Sequence, residues 1–135
     1  MTKGIIIVLG IMLLAMGILG LFQNSVLGIF PVNSALTVVH LFTGVLAIGF
    51  AASGERGVRQ LASVFVVVYA LLALFGFFSQ GTVFGLFANN TADNYLHLFL
   101  AVLFLVAAFS SPATATTQYI ERRRSEPRVN RFIRT

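Results

Sequence analysis

The chain has 135 residues, 58% of them hydrophobic and only 10% charged, with a formal net charge of +5 and no cysteine. A soluble domain carries roughly a quarter charged residues, so this composition excludes one. The lack of cysteine excludes disulfides and thiolate chemistry.

Four apolar stretches follow in chain order: about Ile5 to Phe22, Leu36 to Ala52, Leu61 to Ser79 and Tyr95 to Phe109, none with a Lys, Arg, Asp or Glu. Each approaches the roughly 17 to 25 residues that cross a hydrocarbon layer as a helix, whereas barrel strands would be half as long and would alternate polar with apolar. Lys3 ahead of the first stretch imitates a secretory signal. No small-residue cleavage site leads into a polar mature chain, so this stretch reads as a retained anchor. Residues 1–110 are expected to form an all-α, integral membrane four-helix bundle, and residues 111–135 a basic cytoplasmic tail.

All nine basic residues fall on one side of such a bundle: Lys3, then Arg56 and Arg59 after the second stretch, then Arg122, Arg123, Arg124, Arg128, Arg131 and Arg134 in the tail. Segments 23–33 and 80–93 hold no basic residue, and their one acid is Asp93. The positive-inside rule then puts both termini in the cytoplasm of a multi-pass protein of the cell inner membrane. Anionic lipid headgroups are the expected partner of the tail arginines, at about 1 kcal/mol per basic side chain near the surface, and nucleic acid is not expected. A short interfacial helix is expected around Thr117 to Arg124.

Moved by 57 residues without a gap, "QNSVLGIFPVNSALTVVHLFTGVLAIGFAAS" aligns with "QGTVFGLFANNTADNYLHLFLAVLFLVAAFS". The match pairs Gln23 with Gln80, Gly28 with Gly85, Phe30 with Phe87, Asn33 with Asn90, and the run His40-Leu41-Phe42 with His97-Leu98-Phe99. Apolar bias does not match rarer Gln, Asn and His. The chain therefore reads as two copies of one helical hairpin, about 5–53 and 62–110. Since each copy crosses twice, the copies share one orientation and their axis runs along the membrane normal.

Asn33 or Ser34 is expected to cap the second helix and Asp93 the fourth, with Asn94 and Tyr95 at the helix mouth; the glycines in the segments between permit turns. His40, Gly44, Ala47 and Ala51 recur at helical spacing, matched by His97, Ala101, Phe104 and Ala108. Small residues allow close helix approach in lipid, so both histidines are expected to face inward. Gly10 and Gly17 share a face of the first helix, and Phe65, Phe75, Phe77 and Phe78 are expected to supply bulky knobs from the third.

The bland reading of His40 and His97 is a hydrogen bond to a backbone carbonyl or across helices. The sharper reading is a ligand or proton role, the default for ionisable groups in a span. Asp93 and His97, four apart, share a helix face, but Leu36 stands where the first copy would need an acid. No metal site is expected from two His and one Asp, and a bis-histidine haem is an alternative resting on axial ligands alone. Without paired carboxylates or a phosphate loop, no enzymatic activity is expected. The expected function is a structural or accessory role, within a larger membrane assembly or a homo-oligomer. The alternative is an oligomeric channel or transporter, whose route would draw on Thr37, Thr43, Ser63 and Tyr69.

The segments "VNSALTVVHLFTGVLAI" and "ADNYLHLFLAVLFLVAA" resemble the histidine-bearing segments of a prokaryotic family of small four-helix membrane proteins known as domain of unknown function 4383. The likeness rests on Asn33, His40, Leu41 and Gly44, then Asp93, Asn94, Leu96, His97 and Leu98. Ala101 departs from it where the family often has Gly, which implies a slightly wider helix contact there. The resemblance implies the fold and no activity.

Overall fold

The computed structural model describes residues 2–79, 81–110, 121, 122, 124 and 125. Four helices make the body: α1 (Thr2–Gly20), α2 (Ser34–Ala51), α3 (Glu55–Phe78) and α4 (Thr91–Phe109). All four are long and apolar enough to cross a membrane. At about 1.5 Å per residue, even the 18 residues of α2 come close to the roughly 30 Å hydrocarbon core. The chain is a multi-pass membrane protein. Gln80 and the expected 117–124 helix in its greater part lie outside the described residues, as do Arg123, Arg128, Arg131 and Arg134.

α1 packs chiefly on α2 and α3 on α4, so each sequence hairpin is a structural one; α1 also meets α4, and α2 meets α3. Close approach within the first hairpin depends on small residues. A Cβ on Gly10 would lie 2.9 Å from Ala47 Cβ, and one on Gly17 would lie 2.8 Å from the Leu41 backbone nitrogen. The even helices bury the anticipated face: His40, Gly44, Ala47 and Ala51 on α2, then His97, Ala101, Phe104 and Ala108 on α4. Of the expected α3 knobs, only Phe65 is buried; Phe75, Phe77 and Phe78 are exposed on the outer surface of the bundle. They lie off the stripe of Phe65, Tyr69, Leu72 and Gly76 that α3 buries in the bundle.

Both inter-helix segments at one end of the bundle fold as two-stranded ribbons, an architecture that the all-helical expectation did not include. β1 (Ser25–Val26) pairs antiparallel with β2 (Phe30–Pro31), and β3 (Thr82–Val83) with β4 (Phe87–Ala88). Each turns through two consecutive left-handed residues, Leu27 and Gly28 at φ 56° and 68°, Phe84 and Gly85 at φ 54° and 68°. Positive φ at both central residues is the signature of a type I′ turn, whose twist suits a hairpin; glycine takes the second position at no steric cost. The tips are apolar, with Leu27, Ile29, Phe84 and Leu86 all exposed.

Contacts recur at the same spacing. Val32 N donates to Asn24 O at 3.0 Å as Asn89 N does to Gly81 O at 3.0 Å, and Ile29 N to Val26 O at 3.1 Å as Leu86 N does to Val83 O at 3.0 Å. Two further bonds cross between the hairpins: Asn33 Nδ2 donates to Leu86 O at 2.7 Å, and Asn90 Nδ2 to Ile29 O at 2.8 Å. Between α1 and α3 five buried positions correspond at an offset of 56 instead, Thr2 to Val58, Ile6 to Ala62, Leu9 to Phe65, Leu13 to Tyr69 and Gly17 to Ala73. "GLFQ" at 20–23 faces "GFFSQ" at 76–80, so one inserted residue, Ser79, accounts for the change of offset.

At the other end, Arg59 Nε donates to Ala108 O at 2.9 Å. That carbonyl is among the last of α4, where backbone acceptors lack partners and a cation meets the negative end of the helix dipole. Arg59 therefore ties α3 to α4 as well as adding basic charge.

Candidate functional site

The ribbon end of α4 differs from expectation at one residue. The cap is Asn90, whose Oδ1 accepts from Asp93 N at 2.8 Å, just as Asn33 Oδ1 caps α2 by accepting from Leu36 N at 3.0 Å. α4 thus begins at Thr91, earlier than the apolar run. Asp93 is not the cap; it sits within the first turn and is 1% exposed. Asn94 is buried as well, facing Gly76 on α3 instead of the helix mouth. Tyr95 stays exposed.

His40 and His97 both point into the bundle, 0% and 2% exposed, with ring centroids 6.3 Å apart. Tyr69, on α3, lies against His97 at 5.8 Å and stacks on Phe104 at 5.6 Å, and Phe104 meets Phe65 edge-on at 5.2 Å. Five rings therefore run in sequence along the interior: His40, His97, Tyr69, Phe104, Phe65. Such pairs at 4.5 to 7 Å contribute about 0.5 to 1.5 kcal/mol each beyond burial. Tyr69 had stood in the sequence only as one of a few polar residues in the core.

Among the described residues, the ring nitrogens of both histidines, the Thr37 hydroxyl and the Oδ1 atoms of Asn89 and Asn94 are buried without a protein hydrogen-bond partner, while the Tyr69 hydroxyl lies beside Thr43 and the Asp93 carboxyl beside the Asn90 backbone nitrogen. Leaving a buried polar group unpaired costs about 1 to 3 kcal/mol, and a cluster of them in one region marks a place where something other than packing has shaped the sequence. Asn89 was missed in the sequence reading. Its signal was the repeat, since an amide replaces Val32 of the first copy.

A pocket of about 380 Å³ opens at the ribbon end between α3 and α4, lined by Gly76, Phe77, Ser79, Gly81, Asn89, Asn90, Thr91 and Asn94. A second, of about 490 Å³, lies at the other end beside Arg56, Arg59 and Glu55. Neither of these two is lined by a histidine. Among the described residues no group of three or more His, Cys, Asp or Glu converges as a metal centre would require.

The family model described as "Domain of unknown function (DUF4383)" matches residues 3–110. The match takes in both hairpins with their ribbons and ends at the last residue before the tail. The chain belongs to this family. No curated protein and no solved structure matches it.

Proposed function

We propose that this member of the DUF4383 family is an accessory scaffold of the cell inner membrane, with both termini cytoplasmic and two hairpins related by an axis along the membrane normal. It performs no catalysis of its own and works within a homo-oligomer or a larger membrane assembly. The observation that carries this reading is the interior: the column from His40 to Phe65 fills the bundle axis with rings, which favours a packed scaffold over a pore through one protomer. The recurrence of ribbon bonds and caps at one spacing supports the parallel relation of the hairpins. Lys3, Arg56, Arg59 and the tail arginines then lie together at the inner leaflet, facing anionic headgroups.

A second reading, an oligomeric channel or transporter, draws on the buried polar side chains Thr37, His40, Thr43, Tyr69, Asn94 and His97. Proteoliposomes separate the two: the scaffold reading expects no proton or ion flux above that of empty vesicles, and flux abolished by His97→Ala overturns it. The haem alternative requires α3 to withdraw from α4, because Tyr69 of α3 packs directly on the His97 ring. A Soret band in the purified protein would establish it against the scaffold reading.

A further inference from the structure

The ribbons do not stand up from the bundle. Each turn reaches across to the other hairpin, where the carbonyl just after it, of Ile29 or of Leu86, accepts from the asparagine that caps the opposite even-numbered helix. Their backbones therefore lie level with the first residues of α2 and α4. Val26 and Val83, just before the turns, are buried, while Leu27, Ile29, Phe84 and Leu86 stay outside.

The bilayer reaches that level. α2 has 18 residues and α4 has 19, a rise of about 27 to 29 Å against a hydrocarbon core of about 30 Å. α3 is longer, but Arg59 near its start holds the end of α4, and from Leu61 to Phe78 it rises only about 27 Å. No apolar length is left over, so the hydrocarbon boundary falls at the ribbon ends of these helices. One contact then fixes the second ribbon against lipid. The Phe84 ring lies 4.7 Å from that of Phe75, which is on the outer surface of α3 within its last turn. A ring seated on the lipid-facing side of a span meets lipid with its other face. Phe77 and Tyr95 make a similar outward pair, 5.4 Å apart, between α3 and α4, as the aromatic belt of a membrane interface does.

Composition and backbone set the depth. No Lys, Arg, Asp or Glu occurs between Lys3 and Glu55 or between Arg59 and Asp93, so neither ribbon carries a charge. Strand edges, on the other hand, cannot enter hydrocarbon, because their unpaired backbone groups need water or headgroups. Both demands are met at one place, with the strands among the headgroups and the tip side chains among the uppermost acyl carbons. We propose that the two ribbons are membrane-interface anchors, whose tips Leu27, Ile29, Phe84 and Leu86 insert into the leaflet at their end of the bundle and bind acyl chains without regard to headgroup charge. This requires only that the helices cross the bilayer. It holds whichever end is cytoplasmic and whether or not the protein is a scaffold.

The chain has no tryptophan, so Ile29→Trp and Phe84→Trp each place a single reporter in the full chain, reconstituted in phosphatidylcholine vesicles. Lipids brominated high on the acyl chain should quench both reporters more than lipids brominated near the terminal methyl. Iodide on both sides of the vesicle should quench them severalfold less than it quenches N-acetyltryptophanamide. Anionic lipid or added salt should leave these results unchanged, since no ribbon charge is there to be screened. Should Phe84→Trp fail to fold, Leu86→Trp reports on the same ribbon from a position without left-handed backbone, and Leu27→Trp stands in likewise for Ile29→Trp. Iodide quenching equal to that of the free standard would put the tips in water and overturn the anchor. Reporters shielded from iodide and brominated lipid alike would be covered by protein, a second copy or another chain, and would overturn it as well. Strongest quenching by the deepest bromines would overturn the interfacial depth.

Discussion

Gly44→Ala adds one methyl group where α1 and α2 cross. Built on the backbone, the new Cβ would lie 2.7 Å from Leu14 N, 2.9 Å from Gly10 O and 2.9 Å from Leu14 Cα. All three are backbone atoms, which cannot rotate away as a side chain would. Carbon contacts settle near 3.5 to 4.0 Å, so α1 must withdraw by roughly 1 Å along its most intimate contact. Overpacking of this kind costs about 1 to 3 kcal/mol, and the helix-propensity gain of alanine over glycine returns about 0.8 to 1.0 kcal/mol. A net loss of about 1 kcal/mol should lower Tm by about 4 to 8 °C. Thermal unfolding in detergent, followed by tyrosine fluorescence, measures it. Gly49→Ala is the control, since its Cβ would meet nothing within 4 Å on the same helix. The second hairpin already has Ala101 at the matching place. A Gly44→Ala protein as stable as Gly49→Ala would refute the reasoning and show that the helices part without cost.

The reciprocal asparagines should behave alike. Asn33→Ala and Asn90→Ala each remove a cap and a cross-hairpin bond, for about 1 to 2 kcal/mol apiece by denaturant titration, while Asn90→Asp keeps the cap and loses only the donor. Arg59→Met should fray the end of α4, seen as faster hydrogen exchange at its last amides, with a loss of about 0.3 to 1 kcal/mol. Reporter fusions at Thr135 and Gly81 should score on opposite sides of the membrane, cytoplasmic for Thr135; an external Thr135 reporter would reverse the proposed orientation.

Hydropathy alone located four helices, because a span must be apolar over most of its length, and it placed both histidines on their inward faces through the small residues spaced with them. It set the start of α4 too late. Asp93 stands next to the apolar run and has the chemistry of a cap, yet the alignment of Asn33 with Asn90 already indicated the residue that performs it. Asn89, Asp93 and Asn94 look like a polar loop in one dimension. Their burial becomes visible only once the helix is seen to begin at Thr91. Tyr69 reaches His97 across two helices, a contact that no local pattern encodes. The likeness of α1 to α3 was hidden twice over, since Ser79 shifts the offset and their shared residues are mostly common apolar types. The ribbons, two residues per strand, are too short to produce an alternating pattern.

The exchange of amides between the ribbons, Asn33 to Leu86 O and Asn90 to Ile29 O, has the form of an isologous contact, the kind that self-complementary surfaces make across the twofold of a symmetric dimer. Here the two sides are joined by Ala52, Ser53 and Gly54. Severing that short link leaves each half with its own helices, ribbon and cap, and with one donor and one acceptor waiting for the other half. Co-expressed as separate pieces, the halves should find each other in the bilayer. During synthesis the first hairpin enters the membrane with its asparagine amide and its turn carbonyl both unmatched, so the bundle closes only when the second arrives.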